Sequence, residues 1–114
     1  MFMQNMVILI TDKGMGKGPE ELQLTLIDKY LQLLLQNEAL PSAICFYTEG
    51  VKLVLDGSPV LTQLRELETA GVRLIVCSTC LNYFGLADKV KAGIVGGMTD
   101  ILEAQIRAEK VITL

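Results

Sequence analysis

Val72-Arg73-Leu74-Ile75-Val76 runs directly into Cys77-Ser78-Thr79-Cys80-Leu81-Asn82-Tyr83-Phe84-Gly85-Leu86, an apolar strand that hands over to a helix with a thiol at the junction. A short continuous apolar run of this kind suits a strand covered on both faces. Met6 to Thr11, Ala43 to Tyr47, Ala92 to Val95 and Lys110 to Thr113 have the same character, and helical patterns lie between them. Alternation of strand and helix predicts an α/β fold, a three-layer α/β/α sandwich on a mainly parallel five-stranded sheet. Ligands of such sheets collect at the carboxyl ends of strands, so Cys77 stands where chemistry is expected. Amides at the start of a following helix, around Thr79 to Leu81, are expected to favour its thiolate.

The 114 residues make one domain, 1–114, large enough to bury a core. Hydrophobic residues make up 51% and charged residues 20%, which argues against disorder and points to more apolar surface than a small monomer can hide. The net charge of -3 and the scattered Lys and Arg argue against nucleic acid. No apolar stretch approaches the ~20 residues of a membrane span, and the first ten residues lack the basic start of a signal peptide, so the chain is expected to be cytoplasmic and away from membranes. Three cysteines argue for reduced thiols rather than a disulfide framework. With no histidine at all, Cys-His and Ser-His-Asp hydrolysis within the chain is excluded.

The first helix is predicted from Pro19 to about Gln36, with Glu20 and Glu21 complementing its dipole. Leu22, Leu26, Ile27, Tyr30, Leu33 and Leu34 form its expected core stripe, and Leu24, Leu31 and Leu35 widen the apolar arc to roughly 220°. A helix wedged deeply between the sheet and a neighbouring helix would cover this arc; the favoured reading is that the second set faces another subunit. Ser58-Pro59 predicts a helix with Ser58 as N-cap and Leu61, Leu64 and Leu67 on one face, stopping at Gly71. A last helix from about Thr99 is expected to bury Ile101, Leu102 and Ile106.

The Cys77/Cys80 spacing alone fits a zinc half-site, a redox dithiol, or one nucleophilic thiol with a neighbour; two inert buried thiols are the plain alternative. A zinc site needs four ligands, and beyond this pair the chain offers only Cys45, within an apolar strand, and carboxylates; a site inside one chain is therefore not expected, though two chains could share one metal, no cofactor is expected, and Cys45 reads as packing. Gly14-Met15-Gly16-Lys17-Gly18 matches neither phosphate-binding glycine pattern, because Pro19 follows Gly18. It reads as a loop at the site's rim, with Asp12, Lys13 and Lys17 lining the entrance. Thr48-Glu49-Gly50 and Gly96-Gly97-Met98-Thr99 are expected on the same edge, as walls or as plain turns.

Cys77 to Leu86, together with Met15-Gly16-Lys17-Gly18-Pro19-Glu20-Glu21-Leu22, Phe46-Tyr47-Thr48-Glu49-Gly50-Val51-Lys52-Leu53 and Gly57-Ser58, resembles the DsrE/DsrF-like sulfur-relay family, and most of all the DsrE-like domain of YedF-type selenium-metabolism proteins. The resemblance implies a trimer or hexamer and sulfur carried as a persulfide on Cys77, with selenium metabolism as the setting of the nearest subgroup. Cys80 matches that subgroup's second cysteine and is a candidate to resolve the persulfide as an internal disulfide. Gly16, Gly18, Thr48, Gly50, Thr79 and Asn82 are the candidate substrate contacts. The subgroup's usual Asn is Thr48 here, and its Asn and Tyr are Gly97 and Thr99, which would change the pocket's polarity. The subgroup's separate carrier domain is not in this sequence, so a sulfur donor or acceptor is expected as another protein, such as a small sulfur carrier. The alternatives are a noncatalytic oligomeric binding or scaffold subunit of a relay complex, and a Cys77/Cys80 dithiol redox protein.

Overall fold

All five apolar runs become strands, joined by helices that bury one face each; the computed structural model describes residues 4–114. In chain order these are β1 (Gln4–Ile10), α1 (Glu20–Gln36), β2 (Pro41–Phe46), a 3₁₀ helix (Thr48–Val54), α2 (Leu61–Thr69), β3 (Arg73–Cys77), α3 (Ser78–Phe84), a 3₁₀ turn (Ala87–Lys89), β4 (Ile94–Gly96), α4 (Met98–Arg107) and β5 (Lys110–Thr113). The strands lie in the order β4-β3-β2-β1-β5, and every pairing is parallel. All carboxyl ends therefore share one edge. The register aligns Ile10 with Phe46 and Phe46 with Val76, which puts Thr11, Tyr47 and Cys77 in the next row.

Right-handed crossovers explain the layers. The chain steps β1 to β4 in one direction and returns past β1 to reach β5, so α1 and α2 share a face, where they pack together, while α4 lies across β1, β3 and β4 on the other. The central strands are buried through Met6 to Ile10, Ala43 to Phe46 and Leu74 to Cys77, as continuous apolar runs require. The edge strands are not: Ile94, Val95 and Val111 are exposed.

Three expectations need correction. The core face of α1 is Gln23, Ile27, Leu31 and Leu34, at i, i+4, i+8 and i+11, while Leu22, Leu26 and Leu33 are exposed and Leu24, Tyr30 and Leu35 are half-buried. The helix is rotated because Gln23 is anchored. Its Nε2 donates to Asp12 Oδ2 (3.0 Å) and to the Gly16 carbonyl (2.7 Å), and its main-chain oxygen accepts from Met15 N–H at 3.0 Å. Gly14 permits this approach, since a Cβ there would overlap the Gln23 Cβ. Second, α2 begins at Leu61 with Val60 at its N-cap; Ser58 instead closes the preceding turn, its Oγ accepting from Val60 N–H at 3.3 Å. Third, α4 buries Ile101 and Ala104 but leaves Leu102 52% and Ile106 72% exposed. A lone helix on its face meets the sheet along a narrow stripe, and Met98, Leu102 and Ile106 line the outer side at i, i+4 and i+8.

Replacing Gln23 by Leu keeps the volume and deletes the donor of both side-chain bonds. Urea unfolding is expected to show a loss of about 1–3 kcal/mol, from the partners left unpaired at Asp12 and Gly16. An unchanged midpoint would mean that the carboxamide does not hold the loop.

Candidate functional site

Cys77 closes β3 and is the N-cap residue of α3, with extended backbone (φ -66, ψ 117) and no capping hydrogen bond from its side chain. It is 1% exposed. Cys80 lies three residues further on, in the first turn of α3, a spacing that returns its side chain to the same side. Cys80 is partly exposed. Both thiols are free.

The amide that points at a sulfur comes from a different element than expected. The N–H of Thr48, the residue that opens the 3₁₀ helix after β2, donates to Cys80 Sγ at 3.0 Å. Thr48 has φ 49, a left-handed conformation that is rare for a β-branched residue. Its hydroxyl explains why it is tolerated: Oγ1 lies 2.5 Å from the Thr11 carbonyl oxygen and 2.7 Å from that of Tyr47, so it donates at the strand ends. Gly50 then packs directly on the end of β1, where a Cβ would overlap the Ile10 carbonyl oxygen. The carboxyl ends of β1, β2 and β3 are thereby tied together around Cys80.

Burial pushes the Cys80 thiol up, and so do the hydrogen bond and charge of Cys77; the Thr48 amide works in the opposite direction by stabilising an anionic sulfur. Cys45, one residue short of the carboxyl end of β2, is wholly buried, and burial pushes its thiol up to about 11. It is packing. The carboxyl of Asp12 is held below the usual range, first by the Lys13 amide (2.8 Å) and then by Gln23, so the loop keeps an anion at the rim.

Of the candidate contacts, Thr48 and Gly50 meet the cysteine pair's surroundings directly. Thr79 and Asn82 are exposed on α3, beside the pair in sequence. Gly16 and Gly18 lie in the exposed β1–α1 loop, and among the described residues no hydrogen bond links them to either sulfur. Gly97 and Asp100 open α4, the Gly97 amide donating to Asp100 Oδ2 at 2.9 Å. Gln23 and Thr11 had no part in the sequence-based site. Gln23 was visible as the one polar residue inside an apolar stripe; the role of the Thr11 carbonyl had no side-chain signal.

A concavity of about 490 Å³ opens between the β1–α1 loop and the segment 52–59, without either cysteine in its lining. Its cations are already engaged, Lys13 with Glu20 at 3.6 Å and Lys52 with Glu49 at 2.6 Å and over the Phe84 ring at 4.7 Å. Among the described residues, no three His, Cys, Asp or Glu side chains are grouped to hold a metal ion, and no helix is long and apolar enough to cross a membrane.

Comparison with solved structures finds the same architecture in distant chains. The ychN protein of E. coli is 19% identical with a TM-score of 0.70, over 97% of this chain and 99% of its own. A protein of unknown function from Methanobacterium thermoautotrophicum is 21% identical with a TM-score of 0.71, over 96% and 97%. One from Bacteroides thetaiotaomicron is 18% identical with a TM-score of 0.68, over 96% and 95%. These likenesses establish the fold. No curated protein matches. The family model of the DsrE/DsrF-like family matches residues 6–114, nearly the whole chain, and the protein belongs to that family.

Proposed function

We propose that this protein is a sulfur-relay protein whose Cys77/Cys80 pair takes sulfane sulfur from a donor and carries it as a persulfide on Cys77. Membership in the DsrE/DsrF-like family supports a relay type of function. The observation that carries the reading is two free thiols three residues apart at the carboxyl edge, at the N-cap and in the first turn of one helix, one buried and one partly exposed. The chemistry asks for little: a thiolate attacks the outer sulfur of a donor persulfide, R–S–SH, forming a new S–S bond as the donor leaves as R–S⁻. Neither histidine nor metal takes part. A buried resting place on Cys77 would shield the persulfide from stray thiols.

The donor or acceptor in this reading is a small sulfur-carrier protein, in a reducing compartment such as the cytoplasm, consistent with three free cysteines. Self-association into a trimer or hexamer is part of the proposal, and the exposed Leu22, Leu26 and Leu33 of α1 are available for it. Selenium in place of sulfur would use the same pair. A dithiol redox protein is the second reading, favoured by the placement of both free thiols at the start of one helix.

Mass spectrometry after exposure to a small persulfide separates the two. The wild-type chain is expected to gain one sulfur, and Cys77→Ser/Cys80→Ser none. No sulfur adduct on the wild type would overturn the relay reading; an internal disulfide formed by oxidant, without sulfur uptake, would favour the redox one.

A further inference from the structure

We propose that Cys80, and not Cys77, is the sulfur that meets the donor, so that loading proceeds in two steps across the pair. This rests on the relay reading above and assigns the order of events within it.

The first ground is access. Cys77 is 1% exposed, enclosed where β3 joins α3, and a persulfide carried on another protein has no line of approach to its Sγ. Cys80 is partly exposed and sits three residues on, in the first turn of the helix that Cys77 caps. The second ground is the Thr48 amide. Its N–H lies 3.0 Å from Cys80 Sγ, held there by a left-handed backbone that the Thr48 hydroxyl secures to the strand ends. A backbone conformation that costs on the order of 1–3 kcal/mol persists only where its surroundings over-determine it. Here it aims a hydrogen-bond donor at one sulfur of the two.

In the first step the Cys80 thiolate attacks the outer sulfur of R–S–SH; the S–S bond of the donor breaks, R–S⁻ leaves, and Cys80–S–SH forms. In the second, the Cys77 thiolate attacks the outer sulfur of that persulfide, giving Cys77–S–SH and releasing the Cys80 thiolate. One S–S bond forms and one breaks in each step, so no oxidant or reductant is consumed. The Thr48 amide serves both steps, stabilising the Cys80 sulfur first as nucleophile and then as leaving group. Because burial and Cys77 keep the Cys80 thiol protonated, the first step should quicken with pH, about tenfold per unit while the thiolate is the minor form.

Rapid-quench loading with glutathione persulfide, with fragment-ion mapping of the adduct, tests the order. Cys80→Ser is expected to load Cys77 at least about tenfold more slowly than wild type, whereas in Cys77→Ser the added sulfur should form and stay on Cys80, with no onward transfer. Loading of Cys77 at the wild-type rate in Cys80→Ser would overturn the order and leave the relay reading standing; no loading of the wild type would overturn the relay itself. If a variant fails to fold, limited alkylation of the unaltered protein decides: Cys80 should be labelled at least about tenfold faster than Cys77, and equal rates would overturn the order.

Discussion

Gly50→Ala is expected to cost at least about 3 kcal/mol, a large share of the roughly 5–15 kcal/mol that holds a domain of this size together. The added methyl would overlap the Ile10 carbonyl oxygen, and it would lie 2.7 Å from the Ile10 carbonyl carbon and 3.2 Å from the Thr11 nitrogen. All three are backbone atoms, so no side chain can swing away. Nor can the two segments part easily. Tyr47 N–H donates to the Ile10 carbonyl (3.2 Å), Gly50 N–H to the Tyr47 carbonyl (3.0 Å), and Thr48 Oγ1 holds the strand ends at Thr11. Gly16→Ala is the matched control, because Gly16 has φ 73 with open space around its Cβ, and should lose only about 1–2 kcal/mol from the left-handed backbone. Urea unfolding of both variants checks the contrast. A Gly50→Ala midpoint within about 1 kcal/mol of wild type would show that the end of β1 can yield. If the variant folds at reduced stability, the displaced 3₁₀ helix carries the Thr48 amide away from Cys80, and that sulfur should alkylate with altered pH dependence.

What the sequence made legible, and what it hid, divides along a physical line. Continuous apolar runs such as Met6 to Ile10 report burial on both faces whatever their neighbours are, and so the parallel sheet was readable. The rotation of α1 was not. With an apolar arc as wide as this one, leucine spacing cannot say which edge meets the sheet, and the decision falls to Gln23, whose bonds to Asp12 and Gly16 exist only after the loop has folded. Leu102 and Ile106 misled for a related reason: periodicity predicts an apolar face, but the width of that face that finds a partner depends on how many helices share the layer. At the site, Cys77 and Cys80 were legible as a pair at a strand end, and their unequal exposure was not, since three residues separate a buried N-cap side chain from a partly exposed one. The amide on Cys80 comes from Thr48, 32 positions away in sequence, through a backbone angle that a threonine does not advertise.

Alkaline pH is expected to weaken the fold well before acid or neutral conditions do, by about 2–3 kcal/mol through Cys45 alone. Burial in β2 raises this thiol from its ordinary 9.0 to about 11, partly countered by the Arg73 charge. An unfolded chain releases the proton near the lower value and the folded chain only near the higher one. The stabilising contribution is therefore complete below about pH 9 and drains away as the pH climbs through about 11. Tyr30 is raised by burial, Tyr47 by burial and then by the Cys45 charge, and Cys80 by burial and by Cys77, so all three add to the same slope. On the acid side, Asp12 acts with the opposite sign: its carboxyl is held down, and its contribution fades as the pH falls through the folded value. With no histidine in the chain, neutral pH lies on a plateau between these limits. Urea midpoints measured from about pH 7 to about pH 11 should trace the decline, and Cys45→Val should flatten its upper part by removing the titrating group. An equally steep decline in Cys45→Val would assign it to other groups. The same protons set the working range of the site, because the Cys80 thiolate that would accept sulfur becomes more abundant as the pH rises, while the Cys45 thiol in the core begins to oppose the fold. Uptake should therefore climb through mildly alkaline pH and collapse where Cys45 ionises, and in Cys45→Val that collapse should move to higher pH.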